Sequence, residues 1–63
     1  MENNYYVLIV RYNDGKYIRK MGPMSEGRAE RVSRGALVNM DHENYYSVEV
    51  AKDELEEYEA AED

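Results

Sequence analysis

The sequence predicts an α+β fold: a ββαβ unit whose antiparallel three-stranded sheet has the order 2-1-3, with one helix packed on one face and an acidic C-terminal tail. Three observations lead there. An Asp-Gly pair separates two runs rich in β-branched and aromatic residues, which marks a hairpin. A capped segment with apolar residues at helical spacing follows. A run of strict apolar/polar alternation then supplies the third strand.

Residues 5–12, Tyr-Tyr-Val-Leu-Ile-Val-Arg-Tyr, are too short and too β-favouring for a helix and are expected as the first strand. Asn13, Asp14 and Gly15 form the turn, where Gly accepts the positive φ of a tight turn or bulge. Residues 16–21 return. A three-residue bulged turn is the preferred register, since Val10 and Ile18 then share a face and Tyr6, Leu8, Val10, Tyr12 and Ile18 make one apolar surface. Gly22-Pro23 is expected to close the hairpin, because Pro has no donor for a ladder.

Ser25 is the predicted N-cap of a helix over residues 26–40. Met24 and Ala29 stand at the spacing of a hydrophobic staple, and Glu26 suits the helix dipole. Ala29, Val32, Ala36, Leu37 and Met40 share one face, with Ser33 the small polar residue among them. Gly35 flanks that stripe and suggests a close approach of helix to sheet. Residues 45–51 alternate Tyr46, Val48 and Val50 against Tyr45, Ser47 and Glu49.

If the third strand returns beside the first, the first is central, in keeping with its nearly continuous apolar character. One helix covers one face only. Tyr5, Val7 and Ile9 are then expected on the uncovered face, where the tail, a second copy or a partner must hide them from water.

Sixty-three residues make one domain, read as residues 1–51 with a tail at 52–63 that is a frayed helix or disordered. The chain has no Cys, so disulfides and thiolate metal sites are excluded and a reducing compartment fits. No stretch approaches the roughly 18 apolar residues of a membrane span, and Met1 to Asn4 lack the basic region of a signal peptide. A cytoplasmic location is therefore expected. The net charge of -6 is sorted along the chain: residues 1–38 carry seven basic against four acidic groups, residues 39–63 ten acidic groups against Lys52.

Tyr12-Asn13-Asp14-Gly15, Gly22-Pro23-Met24-Ser25, Ala29-Glu30-Arg31 with Gly35, and the run from Asn39 to Tyr46 together resemble small uncharacterised proteins encoded by bacteriophages of actinobacteria. The likeness covers roughly residues 5–50. It implies a phage accessory protein acting in the host cytoplasm and brings no catalytic residues with it. The acidic run after Ala51 departs from the shared pattern.

Little in the sequence supports catalysis or a cofactor. His42 is the only His, and its neighbours Asp41 and Glu43 are adjacent in sequence, which seldom converges ligands on one point. Asp41 is read instead as a turn residue after the helix. Ser25, Ser33 and Ser47 each have a structural place, and Pro23 stands where a phosphate cradle needs an N–H. No catalytic, cofactor-binding or metal residue is assigned, and no small-molecule substrate or membrane is expected.

The predicted role is a non-catalytic interaction protein that self-associates, most simply as a dimer, or binds a host protein. Its predicted contact residues are Tyr5, Val7, Ile9, Tyr17 and Tyr45. Seven tyrosines without Phe or Trp suit such an amphipathic surface, with Tyr58 a further candidate. Two alternatives use charge. Arg28, Arg31 and Arg34 could contact nucleic-acid phosphates, although Glu30 interrupts them and the tail could fold back onto them. The tail carboxylates could instead imitate the phosphates of DNA.

Overall fold

The computed structural model of the chain describes residues 3–61. Strand β1 (Tyr5–Arg11) is followed by β2 (Tyr17–Met24), helix α1 (Glu26–Val38), β3 (Tyr45–Ala51) and a 3-10 helix (Lys52–Glu57). The sheet order is β2-β1-β3 with both pairings antiparallel, as the sequence predicts. Central β1 is the best buried strand, with Val7, Leu8 and Val10 fully enclosed.

The first loop is longer than the predicted turn. Arg11 N–H donates to Lys16 O at 2.9 Å and Gly15 N–H to Arg11 O at 2.8 Å, so residues 12–15 form the loop. Gly15 supplies the positive φ, 71°. Asp14 organises the loop by accepting from Lys16 N–H at 3.0 Å and pairing with the Arg11 guanidinium.

The register differs too. Val10 pairs with Tyr17 and Ile9 with Arg19, so Ile18 is the extra residue of a β-bulge. The bulge moves Ile18 from the Val10 face, where a regular ladder would leave it, to the side of Ile9, Met21 and Val32. Nor does Gly22-Pro23 end the strand. It forms a second irregularity between Val7↔Met21 and Tyr5↔Met24, and β2 runs on to Met24. An edge strand tolerates Pro at such a point. Gly22 is required there, because at φ 135° a Cβ would lie 2.8 Å from Tyr5 O and 2.9 Å from Tyr6 Cδ2.

Helix α1 begins as predicted: Arg28 N–H donates to Ser25 Oγ at 3.3 Å, and Ala29 N–H to Ser25 O at 2.9 Å. Met24 and Ala29 are buried together, as the staple spacing requires. The helix stops at Val38, short of the expected Met40. Asp41 then turns the chain, accepting from Glu43 N–H at 3.0 Å and Asn44 Nδ2 at 2.7 Å.

The two sheet faces are exchanged relative to expectation. Val7, at 0% exposure, packs with Met24 and Ala29 under α1, with Tyr5, Met21 and Val32 around them, and Ile9 is only 8% exposed. The opposite face carries Leu8, Val10 and Val50, closed by Leu55 and Tyr58 of the chain's own C-terminal segment. Periodicity could not choose between these arrangements, because β1 is apolar on both sides.

Residues 52–61, expected as a frayed helix or disordered tail, form a 3-10 helix over Lys52–Glu57 and pack against the sheet; Glu62 and Asp63 lie outside the described residues. Backbone bonds tie the segment down. Lys52 N–H donates to Asn4 O at 2.7 Å, Tyr17 N–H to Glu59 O at 2.9 Å and Ala61 N–H to Tyr17 O at 2.8 Å. Ala60 thereby forms a parallel bridge beside Tyr17, capping one end of the β2 edge.

Candidate docking groove

The helix carries a stripe of small residues, Ala29, Ser33 and Ala36, of which only Ala29 and Ser33 are buried. It lies mainly over β3 and β1 and leaves β2 less covered. The Ser33 and Ser47 hydroxyls, 2.7 Å apart, draw it toward β3. An open groove of about 370 Å³ remains between its C-terminal half and β2.

The groove is floored by Ile9, Met21, Val32, Ala36 and Met40, while Ile18, thrown inward by its bulge and 47% exposed, forms the β2 wall with Arg19. Gly35 lies on the helix wall, where a Cβ would meet nothing within 4 Å. The close helix approach suggested for this glycine is thus absent; its missing side chain widens the groove instead.

Val32 also lines an adjoining hollow with Ser25, Arg28 and Arg31. Ser25 and Arg28 in turn border a third with Gly22, Pro23 and Met24. The three follow one another along α1, with Val32 shared by the first two and Ser25 and Arg28 by the last two, and are taken together as a trough. Its lining carries Arg19, Arg28 and Arg31, and a further hollow that shares Ser25, Arg28 and Arg31 adds Tyr5 and the carboxylate of Glu26. In the first turn of the helix, Glu26 is engaged by Tyr5. The charge of Glu26 and the hydrogen bond to it hold the Tyr5 phenol above its usual pKa.

The contact residues predicted from sequence do not gather on one surface. Val7 is sealed under the helix and unavailable to a partner; Ile9 contributes to the groove floor. Tyr5 lies at the helix side beside Glu26, whereas Tyr17 packs half-buried on the opposite face, against the same Leu8, Val10 and Val50 cluster as Tyr58. Tyr45 begins β3, paired with Arg11. Sequence reasoning missed Ile18, Met21 and Met40 as groove residues. The bulge that redirects Ile18 follows from turn length, which Asn-Asp-Gly alone does not fix.

Arg28, Arg31 and Arg34 are exposed on α1, and the first two border the trough. The tail does not fold onto them, since residues 52–58 pack on the other face of the sheet. There Asp53, Glu54, Glu56, Glu57 and Glu59 are exposed. His42 is exposed beside Asp41, whose carboxyl is held below its usual pKa chiefly by the Asn44 side chain and then by Glu43 N–H. Among the described residues no cluster of His, Cys, Asp and Glu suits a metal ion, and no helix is long and apolar enough to cross a membrane. Compared with protein-family models, with curated proteins and with solved structures, the chain has no significant match.

Proposed function

We propose that this chain is a non-catalytic protein-binding module whose docking surface is the groove between β2 and α1. One observation carries the reading: with the other sheet face closed by residues 52–61, the aliphatic floor around Ile9, Met21 and Val32 stays open beside an exposed Ile18. An edge strand and a helix flanking an apolar trough form a common setting for a partner segment. The likeness of the turns and caps to small actinobacteriophage proteins supports an accessory role directed at a host protein. The helix-free face first expected to bind is occupied by the chain itself.

The test compares the full chain with Ile18→Glu, in the groove wall, and Val38→Glu, which is 79% exposed on α1 and outside the groove lining. Proteins captured from host lysate are quantified for each, with folding checked by circular dichroism. A partner retained by Val38→Glu and lost with Ile18→Glu is expected. Identical capture by all three chains would remove the reading.

A further inference from the structure

The trough has a chemistry as well as a shape, and the chemistry selects a class of partner. Its floor is aliphatic and methionine-rich: Ile9, Met21, Val32 and Met40. Unbranched Met side chains adapt to varied apolar anchors. Its basic groups are guanidinium, Arg19 from β2 with Arg28 and Arg31 from α1, and they outnumber the neighbouring Glu26. Arg28 and Arg31 stand three residues apart and are neighbours on the helix surface. Guanidinium groups recognise planar carboxylates in a fork geometry.

We propose that the occupant of this trough is an acidic segment of another protein, anchored by two or more aliphatic side chains on the floor and by carboxylates on Arg19, Arg28 and Arg31. The proposal rests on the docking role of the groove. Two features set it apart from other occupants. Tyr5 is the single ring beside the trough, in the hollow that shares Arg28 and Arg31, and it is engaged by Glu26, so single-stranded nucleic acid would find no succession of rings on which to stack its bases. A second copy would bring its own acidic apolar segment, but Leu55 and Tyr58 of that segment are already seated on its own sheet.

Most of the chain's negative charge sits in residues 53–59, on the segment that covers the far side of the sheet, with Glu54 the one of these carboxylates that acts on Tyr5. Near the trough three arginines stand against Glu26, so the local balance is positive. Glu30, the acidic residue within the Arg series, is absent from the lining. Affinity should accordingly fall as salt rises, since the rim groups are exposed and open to screening.

The experiment titrates the ¹⁵N-labelled full chain with synthetic probes: an amphipathic peptide with Leu at helical spacing and Glu elsewhere, the same peptide with Lys for Glu, the same with Ala for Leu, and a single-stranded oligonucleotide. The Glu/Leu peptide is expected to shift the amides of Ile9, Ile18, Met21, Val32 and Ala36. Binding should weaken about tenfold in Arg28→Glu/Arg31→Glu, and the other probes should bind far less well. Both arginines are exposed, so that variant should fold; Arg31→Gln provides a milder check.

Equal or tighter binding of the Lys/Leu peptide at the groove would overturn the acidic assignment and leave the docking role standing. Groove shifts with the oligonucleotide alone would replace the assignment with nucleic-acid binding. A dimer in sedimentation that Ile18→Glu dissolves would make the occupant a second copy. No groove shift with any probe, together with lysate capture unaffected by Ile18→Glu, would remove the docking role itself.

Discussion

The Ser33 and Ser47 hydroxyls lie 2.7 Å apart, and this part-buried hydrogen bond joins helix α1 to strand β3. The Ser47 hydroxyl also reaches the Ser33 carbonyl oxygen at 3.4 Å. Two small polar residues thus let the helix settle over β3, and the seam opens on the β2 side.

Removing one member of this pair should cost more than removing both. Ser33→Ala is expected to destabilise the fold by about 1 kcal/mol, because Ser47 is left with only the long contact to a carbonyl. Ser33→Ala/Ser47→Ala should recover part of that loss. Urea denaturation of the two single variants and the double variant closes the cycle, and strict additivity would show that the hydroxyls do not interact.

The glycines should divide in sign. Gly27→Ala and Gly35→Ala place a methyl in open space on a helix and should each stabilise by about 0.5–1 kcal/mol. Gly22→Ala should destabilise by more than about 1 kcal/mol, since its Cβ meets Tyr5 O at 2.8 Å in a left-handed backbone. Thermal denaturation ranks the three, and a neutral Gly22→Ala would contradict the geometry of the second β2 irregularity.

The C-terminal segment should behave as part of the core. Leu55→Ala is expected to cost about 2 kcal/mol through lost burial against Leu8, Val10 and Val50. Truncation after Ala51 should expose that face and make the protein self-associate. Sedimentation and dye binding would report the change, and a truncated chain as stable and monomeric as the parent would show that the cover is dispensable.

Two turns should loosen in acid. The Arg11 guanidinium, with Lys16 N–H, holds Asp14 below the usual carboxylate value of 3.8, and Asn44 with Glu43 N–H does the same for Asp41. A carboxyl whose pKa falls on folding stabilises the fold above its unfolded pKa and loses that contribution as pH drops through the folded value. Stability should therefore decline from near pH 4 downward. Asp14→Asn and Asp41→Asn should each flatten the decline in denaturation midpoints measured from pH 5 to 2, and unchanged profiles would remove both carboxyls as its source.

Much of the architecture was legible because local chemistry decided it. Ser25 caps the helix, Met24 meets Ala29, Gly15 takes the positive φ, and residues 45–51 keep their alternation. The groove was not legible. Its wall depends on Ile18 being the extra residue in the ladder, and its width on where the helix rests over the sheet.

By itself the sequence determined the order of the three strands and the α-helix and the central place of β1, since period, caps and turn residues act within a few positions of one another. Only the tertiary structure decided which side of β1 the helix would cover. Tyr5, Val7 and Ile9 are as apolar a set as Tyr6, Leu8 and Val10, so local pattern is degenerate between them. The degeneracy is broken at a distance: the larger face needs Leu55 and Tyr58, while the small stripe of Ala29 and Ser33 fits against Val7 and Ser47.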